Sequence, residues 1–182
     1  MPSDSAVSSR NLPLEALIVE DDPRTCELLA EFCRRRGMVV TTATDGRAAT
    51  TAIVREPARF SLVITDLNLP GMDGFEVLKA ARASNPSCYV VMVTGYATID
   101  TAVRAVREGA YDYLPKPVAL GQLEVILRRM QDRIALEQEN RELTRQVGGA
   151  VQALPAADLT SRLDAIDERL AAIERLLRER RF

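Results

Sequence analysis

The sequence of 182 residues contains no histidine. This absence excludes catalysis by Ser–His–Asp or Cys–His groups, histidine-bound zinc or haem, and a role as a phosphohistidine carrier. A surplus of basic charge is also missing, because 24 basic side chains stand against 26 acidic ones and the net charge is −2. This balance argues against a generally basic nucleic-acid binder.

Long apolar runs and a signal-peptide pattern are missing too. No run approaches the roughly 20 residues of a membrane span, and the Ser- and Pro-rich residues 1–13 are predicted to be a flexible N-terminus. We therefore predict a cytoplasmic protein with no membrane partner. The three cysteines are Cys26, Cys33 and Cys88. Helical spacing would put the first two roughly 10 Å apart, so free thiols in a reducing cytosol are expected.

Hydrophobic residues make up 47% of the chain and charged residues 27%, which is typical of a folded domain with room for an extension. Five short apolar runs are predicted to be strands: Ala16–Val19, Met38–Ala43, Leu62–Thr65, Tyr89–Thr94 and Tyr111–Leu114. Most of these runs are rich in Val and Ile with few polar interruptions, which indicates burial on both faces.

Between these runs, apolar residues recur at helical spacing. The sets are Cys26/Leu29/Phe32/Cys33, Ala48/Ala52/Ile53, Phe75/Val77/Leu78/Ala81 and Ile99/Ala102/Val103/Val106. Alternating strands and helices predict an α/β fold with a doubly wound, five-stranded parallel sheet and helices on both of its faces. A ligand site is expected beyond the carboxyl ends of the strands.

Acidic side chains follow two of the predicted strands. Glu20, Asp21 and Asp22 come after the first strand, and Asp66 comes after the third. An acidic triplet by itself is more often a solvated turn or a helix cap, and Asp22 before Pro23 fits a cap. Carboxylates that converge at one edge repel each other and require a cation. Without histidine, oxygen ligands point to Mg²⁺ or Mn²⁺.

Thr94 ends the fourth strand and Lys116 follows the fifth. The chain has only two lysines, Lys79 and Lys116, although a single lysine is more often a surface charge. Together the strand ends supply a metal site, a hydroxyl, an ammonium and a nucleophilic carboxylate. These are the groups required for phosphoryl transfer to an aspartate.

The segments LIVEDDP, ITDLNLPGMDG, VMVTGYA and YLPKP occur in this order within residues 14–130. They resemble the receiver domain of bacterial two-component response regulators. The stretch GYATIDTAVRAVREGAYDYLPKP is most similar to the nitrogen-regulation branch. The resemblance implies a flavodoxin-like (βα)5 receiver that takes a phosphoryl group from a sensor histidine kinase or phosphotransfer protein. It implies no enzyme activity beyond self-catalysed phosphoryl transfer and autodephosphorylation.

The resemblance also assigns the phosphorylation and metal positions. Asp66 matches the phosphoacceptor, and Glu20, Asp21, Asp66 and the backbone carbonyl of Asn68 match the ligands of Mg²⁺. Glu20 stands where many members of the family have Asp. The Lys116–Pro117 peptide bond is expected to be cis, which only an X–Pro bond allows at low cost.

Further roles follow from the same resemblance. Thr94 and Lys116 match the hydroxyl and the ammonium that contact the phosphoryl group, and Thr94 with Tyr113 matches the conformational switch. Asn68 and Tyr96 occupy positions that tune dephosphorylation. The bulk of Tyr96 is expected to shield the acyl phosphate from water.

The tail after the receiver is specific to this sequence. We predict a helical extension of the last receiver helix over residues 131–147, a linker over 148–157 that begins at Gly148-Gly149, and an oligomerisation helix over 158–182. In the extension Leu136, Asn140, Leu143 and Val147 repeat at 4-3-4 spacing, with Asn140 as a polar seam position.

Six residues of the last segment form a heptad seam: Leu159, Leu163, Ile166, Leu170, Ile173 and Leu177. The alternative is a single helix that folds back onto the receiver or onto the first tail helix. Parallel pairing would bring Arg162 to Asp167 and Arg169 to Glu174, whereas antiparallel pairing would oppose like charges. We predict a parallel coiled-coil dimer or tetramer.

The residues after position 118 carry 11 basic and 11 acidic side chains, so no nucleic-acid contact is expected there. The sequence contains no Walker-type motif, and the ATPase and DNA-binding domains of the nearest branch are missing from it. Output through an unknown downstream protein is therefore expected. The rival interpretations are a DNA-binding transcriptional regulator and a phosphate sink for a kinase.

Overall fold

The computed structural model describes residues 13–153, and their side chains up to residue 145. The strands are β1 (Glu15–Val19), β2 (Val39–Ala43), β3 (Leu62–Asp66), β4 (Tyr89–Thr94) and β5 (Asp112–Pro115). The helices are α1 (Pro23–Arg34), α2 (Gly46–Arg55), α3 (Gly74–Ser84), α4 (Ile99–Arg107) and α5 (Leu120–Ala153). All strand pairs are parallel, in the order β2-β1-β3-β4-β5. The predicted five-stranded α/β fold is confirmed.

The strand bounds agree with the prediction to within one residue. β4 has the predicted bounds, and β5 is shifted by one residue toward the C-terminus. β3 includes Asp66, which pairs with Val93 of β4. The strand ladder therefore holds the backbone of Asp66, which the sequence pattern placed just beyond the strand.

The core lies on both faces of the sheet. Leu17 and Val19 of β1 pack in one hydrophobic cluster with Phe75 of α3. Ala16 and Ile18 are also fully buried, and because side chains alternate along a strand they point to the opposite face. Two buried faces are what a doubly wound sheet requires.

Burial on both faces holds for the central strands β1, β3 and β4 but not for β2. At the edge of the sheet β2 leaves Val39 and Thr42 exposed. An edge strand has a strand neighbour on one side only, so its outer side chains meet fewer covering groups. The burial on both faces that was predicted for most of the strands does not extend to β2.

The apolar residues of α4 face solvent. Ile99 is 83% exposed, Val106 69% and Val103 44%, whereas Ala105 is completely buried. A small alanine allows the helix backbone to lie close to the sheet, and the larger apolar side chains then lie on the outer surface. Helical spacing correctly predicted that these apolar residues lie along one side of α4. It did not predict whether that side faces the sheet or the solvent.

The last helix is longer than predicted. α5 continues through Gly148 and Gly149 to Ala153, so the predicted helix end at residue 147 is wrong. Glycine costs only about 1 kcal/mol per residue in a helix relative to alanine, and a glycine pair does not by itself end one. The predicted seam from Leu159 to Leu177 lies outside the described residues, as do residues 1–12 of the predicted N-terminal segment.

The described part of the chain divides into two units, one that ends at Met130 and one that begins at Gln131. In the first unit Leu123, Leu127 and Met130 of α5 are fully buried. In the second unit Leu136 and Leu143 are exposed. Within residues 13–153, no helix combines the length and the apolar character needed to cross a membrane.

All three cysteines are buried free thiols, as predicted. Burial raises the pKa of the Cys33 thiol to about 11 and that of the Cys88 thiol to about 12. Both thiols are therefore protonated at neutral pH, where a thiol is a poor nucleophile. These cysteines are core residues rather than reactive groups.

Candidate functional site

The register of the sheet brings the acidic residues together. Val19 of β1 pairs with Thr65 of β3, so the residues that follow them, Glu20 and Asp66, lie next to each other at the carboxyl edge. One carboxylate oxygen from each of Glu20, Asp21 and Asp66 lies within 4.8 Å of the other two. We refer to these three residues as the acidic cluster. Glu20 and Asp66 are buried, and Asp21 is exposed.

Asp22 has a different role from its two acidic neighbours. Its carboxylate accepts hydrogen bonds from the Thr25 hydroxyl at 2.6 Å and from the Thr25 backbone N–H at 2.9 Å. These two bonds lower the pKa of Asp22. Asp22 is the N-cap of α1, with Pro23 in its first turn. The expectation that Asp22 before Pro23 is a helix cap is thus confirmed.

Lys116 bridges two members of the acidic cluster. Its Nζ donates to Glu20 Oε1 at 2.7 Å and to Asp66 Oδ2 at 2.6 Å. Burial alone would lower the pKa of Lys116, but the hydrogen bonds to Asp66 and Glu20 raise it above its ordinary value. Lys116 is therefore fully charged at neutral pH. The Lys116–Pro117 peptide bond is cis, as expected.

One ammonium does not balance the acidic cluster. Glu20 Oε2 is buried, and within the described residues it has no hydrogen-bond partner. Burial raises the pKa of Glu20 in spite of the nearby Lys116 ammonium. A buried carboxylate oxygen without a partner, close to two further carboxylates, fits a cation bound by oxygen ligands. The donor set is suited to Mg²⁺ rather than to a metal that prefers nitrogen or sulfur.

Hydrogen bonds and a close backbone contact fix both the side chain and the backbone of Asp66. Its Oδ1 accepts a hydrogen bond from the Asn68 N–H at 3.0 Å, and its backbone carbonyl accepts one from the Thr65 hydroxyl at 2.9 Å. Gly74, the first residue of α3, lies so close that an added Cβ would be 2.1 Å from the Asp66 carbonyl oxygen. The sequence pattern did not identify Gly74 as a site residue. Its signals were its place at the end of the segment ITDLNLPGMDG and directly after Asp73, the N-cap of α3.

Thr94, Tyr96, Asn68 and Tyr113 are not members of the acidic cluster. Thr94 is fully buried, and its hydroxyl accepts a hydrogen bond from the Tyr96 N–H at 3.1 Å. Tyr96 is 76% exposed, and the side chain of Asn68 is also exposed. Tyr113 is half-buried, and its hydroxyl lies 2.7 Å from Thr101 Oγ1. Thr101 was not among the residues predicted from the sequence.

A family model described as the response regulator receiver domain matches residues 16–128. The chain is 31% identical over 157 residues to the C4-dicarboxylate transport transcriptional regulatory protein DctD of Rhizobium meliloti (strain 1021). It is 36% identical over 131 residues to the nitrogen assimilation regulatory protein NtrX of Azorhizobium caulinodans. These alignments cover 86% and 71% of the chain, but only 34% and 28% of the two relatives.

Solved structures share the fold. A CheY-like response regulator receiver domain protein from Methanospirillum hungatei JF-1 superposes with a TM-score of 0.61 at 28% identity. The superposition covers 70% of this chain and 98% of that one. The likeness therefore extends over that whole domain.

Proposed function

The chain belongs to the response regulator receiver domain family of two-component systems, and we propose that it accepts a phosphoryl group on Asp66 from a phosphohistidine of a sensor histidine kinase or phosphotransfer protein. In this step the bond between phosphorus and the donor's imidazole nitrogen breaks, and a bond between phosphorus and a carboxylate oxygen of Asp66 forms. Water later attacks the phosphorus, which releases inorganic phosphate and restores the carboxylate. The chain itself carries no histidine that could donate.

The observation that carries this proposal is the grouping of three carboxylates, two of which also accept hydrogen bonds from the Lys116 ammonium. Glu20, Asp21, Asp66 and the backbone carbonyl of Asn68 would hold Mg²⁺, which when bound neutralises the charge of the carboxylates and of the entering phosphoryl oxygens. Lys116, already 2.6 Å from Asp66 Oδ2, would pair with a phosphoryl oxygen. In the proposed switch the Thr94 hydroxyl would leave the Tyr96 N–H for the phosphoryl group, and Tyr113 would change rotamer with it.

Asp66→Asn is expected to abolish phosphorylation, because an amide of the same shape is not a nucleophile. The full chain is incubated with acetyl phosphate and Mg²⁺, and intact mass spectrometry reports the phosphoryl adduct. Asp45→Asn is the matched control. Asp45 is the N-cap of α2 at the same edge of the sheet, and Asn caps a helix equally well. An adduct that persists in Asp66→Asn would mean that a different residue accepts the group.

Tyr96→Ala is expected to shorten the lifetime of the phosphorylated state, because the tyrosine ring stands two residues beyond Thr94 and would limit the access of water. The decay of the phosphoryl adduct after removal of the donor measures this lifetime. Tyr96→Phe keeps the bulk without the hydroxyl and should retain the wild-type decay. Equal decay in Tyr96→Ala and in the wild type would show that Tyr96 does not shield the acyl phosphate.

The proposed output is contact with a downstream protein through a receiver carried on a parallel coiled coil. Its support is the heptad seam of the sequence and the exposed Leu136 and Leu143 of α5. Light-scattering mass with and without beryllofluoride and Mg²⁺ is expected to give two or four chains per particle. A monomer in both states would refute the coiled coil, and a mass that differs between them would show that phosphorylation controls assembly.

Transcriptional regulation is a second candidate, because DctD is named a transcriptional regulatory protein and the chain spans about a third of its length. Retardation of DNA by the phosphorylated chain at physiological salt would favour this candidate. A rapid decay of the phosphoryl group without any phosphorylation-dependent partner would instead favour a phosphate sink.

A further inference from the structure

The hydroxyl of Tyr113 is bound by the first turn of α4. It lies 2.7 Å from the hydroxyl oxygen of Thr101, a distance at which one of the two groups donates a hydrogen bond to the other. Thr101 is the third residue of α4 and part of its capping box with Thr98. The contact joins the proposed switch tyrosine of β5 to the cap of the neighbouring helix.

The hydroxyl of Thr101 has more neighbours than it can bind. It lies 3.1 Å from the Thr98 N–H, 3.0 Å from the Thr98 hydroxyl and 3.0 Å from the Thr98 carbonyl, in addition to Tyr113. A hydroxyl donates one hydrogen bond and accepts two. If it donates to the Thr98 carbonyl and accepts from the Thr98 N–H, one acceptor site is left, and Tyr113 is the nearer of the two remaining donors.

With that assignment of the Thr101 hydrogen, Tyr113 donates to Thr101. Departure of the tyrosine would leave the acceptor site to the Thr98 hydroxyl, which is already within reach. The cap of α4 stays satisfied in either case, while the hydroxyl of Tyr113 needs a new partner. The hydrogen bond thus constrains Tyr113 more strongly than it constrains α4.

The proposed switch relates this contact to the conformation of Thr94. The Thr94 hydroxyl accepts from the Tyr96 N–H. Among the described residues, it makes no hydrogen bond to the acidic cluster or to Tyr113. This is the arrangement expected before phosphorylation. A contact made in only one of two conformations shifts the equilibrium toward that conformation.

We propose that Thr101 is a positioning residue for the switch, whose hydroxyl holds Tyr113 in the unphosphorylated arrangement and so opposes activation. This inference rests on the proposed function of Asp66. Thr101 makes no hydrogen bond to the acidic cluster or to Lys116 in the described structure, so the phenol of Tyr113 is its link to the switch. The hydrogen bond to Thr101 must break when Tyr113 changes rotamer. The cost of breaking it reduces the net free energy with which the phosphoryl group stabilises the activated state.

The test is the apparent dissociation constant of the full chain for beryllofluoride at fixed Mg²⁺, followed by amide NMR spectra. Thr101→Val keeps the branched shape without the hydroxyl and is expected to bind about 2- to 10-fold more tightly, the equivalent of one neutral hydrogen bond. Thr101→Ser keeps the hydroxyl and is expected to bind like the wild type. Equal tightening in the Val and Ser variants would overturn the proposal.

Tyr113→Phe breaks the same contact from the other side and leaves the cap of α4 intact. The double variant Thr101→Val/Tyr113→Phe is expected to bind no more tightly than Tyr113→Phe alone. Additive effects, or an unchanged constant in Thr101→Val, would overturn the role of Thr101 while the proposed function stands. A wild-type chain that does not bind beryllofluoride would overturn the proposed function itself.

Discussion

Gly74→Ala is expected to destabilise the receiver by about 2–4 kcal/mol and to slow phosphorylation strongly. The added methyl group would lie 2.1 Å from the Asp66 carbonyl oxygen and 2.9 Å from the Leu67 Cα. These are backbone atoms, which cannot move aside as a flexible side chain can. Relief of the overlap must therefore displace the segment that carries the phosphoacceptor. Urea unfolding measures the loss of stability, and the rate of adduct formation with acetyl phosphate measures the loss of function.

Two other glycines provide controls for this substitution. Gly121, in the first turn of α5, has no atom within 4 Å of an added Cβ, so Gly121→Ala should be neutral or stabilising through helix propensity. Gly46→Ala would meet Met72 at 2.9 Å and should have an intermediate cost. Wild-type stability in Gly74→Ala would mean that the β3–α3 connection adapts freely and that the close approach is unimportant.

Lys116→Met is expected to have the second large effect. In the absence of divalent cations, the substitution should lower the free energy of unfolding by up to about 3 kcal/mol. The substitution leaves Glu20 and Asp66 buried without the ammonium that now bonds both of them. The value lies at the low end for a broken buried ion pair because the Lys116 side chain is 22% exposed. Urea unfolding in the presence of a chelator measures this loss.

Mg²⁺ should restore more stability to Lys116→Met than to the wild type, since a bound cation replaces the missing positive charge. Lys79→Met is the matched control. Lys79 is 62% exposed and lies 3.6 Å from Glu108, so its removal should cost less than about 1 kcal/mol and respond little to Mg²⁺. If both lysine variants unfold at the same urea concentration, the Lys116 ammonium does not stabilise the acidic cluster.

Most of the fold could be predicted from short-range patterns. The apolar run of β4 has the predicted bounds because an uninterrupted run of Val, Met and Tyr favours a buried strand. The approach of Glu20 to Asp66 followed from topology alone, since the carboxyl ends of parallel strands meet at one edge. The face of α4 that turns toward the sheet could not be predicted this way. Helical spacing shows that a stripe exists but does not show which side of the helix the sheet will cover.

Within the acidic triplet, the proline after Asp22 indicated a helix cap, and the structure confirms that Asp22 is the N-cap of α1. Asp22 and Asp21 are adjacent residues of the same type, and the difference arises because only Asp22 reaches the Thr25 N–H at the start of α1. The direction of each side chain depends on backbone dihedrals, which the residue types leave undetermined.

The sequence by itself determined the alternation of strands and helices, the edge at which the site lies and the absence of a histidine donor within the chain. These features depend on residue type, spacing and strand direction. Only the tertiary structure decided that Lys116 bridges Glu20 and Asp66, that Gly74 lies close to the Asp66 backbone and that the hydroxyls of Thr101 and Tyr113 lie 2.7 Å apart. Glu20 and Lys116 are 96 positions apart, and their contact depends on helix packing and rotamers that no local pattern specifies.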